Sequence, residues 1–120
     1  MRRRSFCAGV AGAFIALAGD AQAHAMLTRA EPAVGATVRS AVTLIRLRFT
    51  ERIEPALCRV TIENGAGASV PTLDLAAEGD GRTLAAHVAP LAPGPYRVRW
   101  RAVSVDTHIT EGDFRFTVAP

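Results

Sequence analysis

A chain of 120 residues is enough for one domain, and its 14 basic residues, all arginine, against 11 acidic ones give a formal net charge of +3. Three of those arginines and Asp20 fall within the first 23 residues, so the remainder carries only +1, which makes no case for nucleic-acid binding, a function that needs a clustered basic surface. Beyond that first segment Cys58 is the only cysteine, which excludes a disulfide within the remaining chain.

In chain order, Arg2, Arg3 and Arg4 make a positive start, and Phe6 to Ala18 follows as an apolar run well short of the ~20 residues that span a bilayer. Ala21-Gln22-Ala23 then fits the A-x-A pattern of a signal-peptidase site. Residues 1–23 are therefore expected to be a cleaved signal peptide, and residues 24–120 a single exported domain, periplasmic and monomeric. The first residue of that domain is His24.

From there the pattern has period 2, the spacing of half-buried strands. Ile45, Leu47 and Phe49 alternate with Leu44, Arg46 and Arg48, and Cys58, Val60 and Ile62 alternate with Arg59, Thr61 and Glu63. Leu84, Ala86 and Val88 oppose Ala85 and His87. Tyr96, Val98, Trp100 and Ala102 oppose Arg97, Arg99 and Arg101, and Phe114, Phe116 and Val118 oppose Arg115 and Thr117. Turn signals separate these runs at Glu31-Pro32, Asn64-Gly65, Gly79-Asp80-Gly81 and Pro93-Gly94-Pro95. Short strands with regular turns predict an all-β fold, an Ig-like Greek-key sandwich or barrel of about seven strands. The arginines alternating with core residues read as solvent faces of antiparallel strands. Cys58 shares a face with Val60 and Ile62 and is expected to be buried.

Chemistry concentrates in the histidines. As a free N-terminus, His24 offers two nitrogen donors, its α-amine and imidazole Nδ1, which close a six-membered chelate ring on a metal. The amine's reference pKa of about 7.7–8.0 lets a metal displace its proton near neutral pH. Asp106 and His108 stand two apart in SVDTHITEGDF, a spacing that extended backbone projects to one side. Three nitrogens and one oxygen in a tetragonal set suit Cu(II), while zinc takes the same donors in a tetrahedral one. His87 falls on the outer strand face and outside this site.

The segments HAML, AEPAVGATV (30–38), LRFTERIEP (47–55) and PLAPGPYRVRWRAVSVDTHITEGDFRFTV (90–118) resemble the CopC-type copper-resistance proteins, small periplasmic copper carriers, over essentially all of residues 24–120. The resemblance implies a β-sandwich with one Cu(II) site, its ligands the His24 amine and imidazole, Asp106 and His108. It also implies that Glu51 stands behind those ligands and orients them or the amine. Met26 is the only methionine after the signal, so the methionine-rich Cu(I) site of some family members is not expected. Ile109 replaces the proline that often follows the motif histidine. A CopD-type inner-membrane copper transporter, fused to some relatives, would here be a separate partner. The implied function is Cu(II) sequestration or carriage, with no catalysis. Two alternatives stand beside it: a copper monooxygenase built on a histidine brace, and a metal-free Ig-like structural domain.

Overall fold

The computed structural model describes residues 26–120; the expected signal peptide and His24 lie outside the described residues. Nine strands form: β1 (Leu27–Glu31), β2 (Thr37–Val38), β3 (Leu44–Phe49), β4 (Arg59–Asn64), β5 (Ser69–Val70), β6 (Thr72–Glu78), β7 (Thr83–Val88), β8 (Gly94–Val103) and β9 (Ile109–Val118). A 3-10 turn, Pro55–Leu57, is the one helical element among the described residues. The strands make a sandwich of two sheets, with orders β1-β3-β7-β6 and β2-β9-β8-β4-β5. All neighbours pair antiparallel except β2 with β9.

The all-β sandwich matches the alternation in the sequence, and the five periodic runs become β3, β4, β7, β8 and β9. The count of nine exceeds about seven because β2 and β5 have two residues each, too few to show a period. Edge strand β6 is largely exposed, Leu73 included, so it has no dry face to announce it. Ile45, Leu47, Ile62, Leu84 and Val98 are wholly buried between the sheets, with Phe49 and Phe116 1% exposed. Ala85, on the expected outer face, is buried as well: it lies on interior strand β7 between Arg46 of β3 and Ala76 of β6.

Tyr96 stacks on Phe116 at 5.6 Å and donates its hydroxyl hydrogen bond to the Ala92 carbonyl at 2.6 Å. That bond satisfies the one polar atom of a buried ring. Trp100 packs edge-on against Phe49, centroids 5.2 Å apart, and lies opposite Gly112 of β9. A Cβ at position 112 would come within 2.6 Å of Trp100 Cζ2. Gly112→Ala is therefore expected to displace the indole, lowering the thermal midpoint and shifting the emission of this single tryptophan. An unchanged melt and spectrum would mean that the two residues do not touch.

Cys58 sits at the end of the 3-10 turn, packed against the core yet half-buried, less enclosed than its strand pattern suggested. Its Sγ accepts the Val103 N–H at 3.4 Å and its thiol donates to the Glu54 carbonyl at 3.2 Å. Burial raises the thiol pKa, ahead of the opposing effect of the backbone hydrogen bonds, so Cys58 is a structural thiol.

Candidate metal centre

After β3 the segment 50–54 crosses one end of the sandwich and is stitched on both sides. The Thr50 N–H donates to the Met26 carbonyl at 3.0 Å, and the Met26 N–H to Thr50 Oγ1 at 3.0 Å. On the other side the Glu54 N–H donates to the Val103 carbonyl at 2.8 Å, and the Val105 N–H to the Arg52 carbonyl at 3.0 Å. Ile53 forms an isolated bridge with Ser104. Glu51 is thus held between the start of β1 and the hairpin joining β8 to β9.

That hairpin loop, residues 104–108, is built around Ser104, which is 1% exposed. The Ser104 N–H donates to the His108 carbonyl at 2.9 Å, and the Thr107 N–H to the Ser104 carbonyl at 2.8 Å. The Ser104 hydroxyl accepts the His108 N–H at 3.1 Å and donates to Asp106 Oδ1. Thr107 takes a φ of 70°, the left-handed region that a β-branched residue rarely enters. The turn leaves Asp106 Oδ1 and His108 Nδ1 3.4 Å apart. At this spacing extended backbone would bring the two side chains together; in the structure a tight turn does so, organised by a serine that the alternating pattern does not single out. Its only trace in the sequence is the spacing S-x-D-x-H.

Glu51, Asp106 and His108 each offer a ligand atom, and these atoms lie within 4.8 Å of one another. Of the three, Glu51 is the more enclosed, and its buried Oε1 has no hydrogen-bond partner among the described residues. A buried carboxylate oxygen without a donor is costly, so the position calls for a cation or an N–H. The Ser104 hydroxyl, first, and the charge of His108 hold the Asp106 carboxyl below the usual carboxylate range. Asp106 therefore stays ionised, the form that binds metal. His87 lies apart on the outer face of the first sheet, its Nδ1 2.7 Å from Asp74 Oδ1. Neither His87 nor Cys58 joins the cluster.

Residues 27–119 match the model of the CopC domain. The chain is 38% identical over 106 residues to copper resistance protein C of Xanthomonas campestris pv. juglandis, covering 82% of this chain and 83% of that protein. It is similar in fold to CopC from Methylosinus trichosporium OB3b: TM-score 0.74, 34% identity, 81% of this chain and 95% of that one. It is also similar to PcoC of Escherichia coli, a methionine-rich copper resistance protein: TM-score 0.71, 30% identity, 80% of this chain and 99% of that one. Unlike a methionine-rich protein, this chain has two methionines in all.

Proposed function

The chain belongs to the CopC family of copper resistance proteins, and from that premise we propose that it is a periplasmic Cu(II)-binding protein that sequesters or carries the ion. One observation carries the reading: Glu51, Asp106 and His108 converge beside the point where the described chain begins, at Met26. His24 is two residues upstream, and two residues of chain reach at most about 7 Å. Its amine and imidazole would join Asp106 and His108 as ligands once cleavage after Ala23 frees the amine. Glu51 would hold the amine or a ligand imidazole through its unpartnered Oε1.

Three nitrogens and one carboxylate oxygen favour Cu(II) over Cu(I), and a single methionine after the signal offers no soft cluster for the reduced ion. Asp106, 3.4 Å from His108, would compete for the position that a histidine-brace enzyme leaves open, which favours binding over turnover. The protein acts as a monomer, without catalysis, and exchanges its ion with a membrane transporter of the CopD type. A competitive Cu(II) titration of the protein beginning at His24 tests the reading. It should show saturation at a single equivalent and an electron paramagnetic resonance spectrum with nitrogen hyperfine structure. Weak binding with no defined stoichiometry would overturn it.

Glu51→Gln tests the supporting carboxylate. Such partners typically contribute about 10–100-fold to metal affinity, so Cu(II) should bind more weakly by that order, while the metal-free protein melts no lower than the wild type because Oε1 has no hydrogen bond to lose among the described residues. Equal affinity would leave Glu51 without a role in the centre.

A further inference from the structure

The outer faces of the two sheets carry charge in different ways. On the first, Arg29, Arg46 and Arg48 each reach a carboxylate: Glu31 at 3.1 Å, Glu78 at 2.8 Å and Asp80 at 3.0 Å. On the second, central strand β8 presents Arg97, Arg99 and Arg101, paired with Asp113 at 2.9 Å, Glu63 at 3.7 Å and Glu111 at 3.6 Å. Arg59 on β4 and Arg115 on β9 come in addition, both exposed, and neither is in an ion pair among the described residues.

The register makes this arrangement unfavourable. Arg59 lies directly opposite Arg101, and Arg115 directly opposite Arg97. Directly opposed side chains start from Cβ atoms only about 4.5–5.5 Å apart, and like charges there destabilise the sheet. Five arginines against three carboxylates leave this face at +2, on a domain whose total beyond residue 23 is +1. Between the arginines runs a shallow depression of about 400 Å³, lined by Arg59, Thr61, Arg99, Arg101 and Asp113 among others. A solvent face needs no such excess; a partner that brings carboxylates would satisfy it.

We propose that the outer face of the second sheet docks an acidic protein surface. The guanidinium fork binds carboxylates in bidentate fashion, and arginine is enriched where proteins meet. A second copy of this chain meeting it face to face would present the same positive charge and be repelled. Among the described residues, Ile109 is the only large exposed apolar side chain at the outward positions of β4, β8 and β9, so the face itself lacks the anchors of a membrane-inserting surface. Arg101 is three residues of strand from Ser104, about 10 Å at the usual rise. A partner seated here would therefore adjoin the end of the sandwich that carries Glu51, Asp106 and His108. The inference rests on register and charge and stands without the copper reading.

The test is a nuclear magnetic resonance titration of the protein beginning at His24, with no metal added, using a polyglutamate peptide as the probe. Amide shifts should be confined to the outward positions of β4, β8 and β9, and should vanish near 1 M salt, where the Debye length falls to about 3 Å. The double variant Arg59→Gln/Arg115→Gln should bind the peptide several-fold more weakly while melting no lower than the wild type, because it relieves two like-charge contacts. Absent or scattered shifts, equal binding by the variant, or a lower melting point for it would overturn the proposal. So would binding to phosphatidylglycerol vesicles with no response to the peptide, which would assign the face to a membrane instead.

Discussion

A protein whose His24 α-amine is acetylated is expected to bind Cu(II) more than about 100-fold more weakly than the protein that begins at His24 with its amine free. Loss of a supporting partner alone costs about 10–100-fold; acetylation removes a ligand. It turns the α-amine, a donor whose proton leaves near pH 8, into a capped amide with no free amine beside it. The chelate ring opens, and the His24 imidazole is left without its partner donor. Nothing else changes: the modification lies upstream of Met26, where the described fold begins, so the melting curve should be the same. A competitive titration of the two matched proteins decides the matter. Equal affinities would remove the amine from the ligand set and with it the idea that signal cleavage completes the site.

His108→Ala is expected to have a comparable effect from within the fold. The side chain is about half exposed, and the loop is held by backbone groups and Ser104, so its removal should leave the fold intact. What remains is Asp106 and whatever His24 supplies, a much weaker set. His87→Ala is the matched control, because His87 pairs with Asp74 on the outer face of the first sheet, and its copper affinity should equal the wild type's. Equal affinity in His108→Ala, or a large loss in His87→Ala, would place the centre elsewhere.

Acidification should release the ion by a related route. Metal ligands bind in their deprotonated forms, so protons compete for the donor nitrogens and binding weakens as the pH falls. Asp106 is not the first ligand to let go, since its carboxyl is held below the usual range by Ser104 and His108. An apparent affinity that does not fall between about pH 7 and pH 5 would contradict a nitrogen-rich ligand set.

Much of the fold was legible because β-strand burial has period 2 and the inward residues here are strongly apolar. Ile45, Leu47, Phe49, Val60, Ile62, Val98, Phe114 and Phe116 all face the core that their alternation predicts. The pattern fails where it has no length or no contrast, as in β2, β5 and the exposed edge β6. It also misleads at Ala85, where a small residue on an interior strand is covered from the solvent side.

For the candidate site, the sequence by itself determined which residue types are on offer: a histidine behind an A-x-A motif, and Asp106 two residues before His108, a pair local enough to be read from spacing. Tertiary structure decided what those donors meet. Glu51 is 55 positions before Asp106 in the numbering, and no spacing rule links them; hydrogen bonds from Arg52 to Val105 and from Glu54 to Val103 bring the segments together. The turn at Thr107 and the buried Ser104 that sets it are likewise products of the hairpin between β8 and β9. The same holds for the opposed arginines of the second sheet, since strand register is a long-range property. Periodicity encodes which face a residue takes, and only the pairing of distant strands decides which residues share that face.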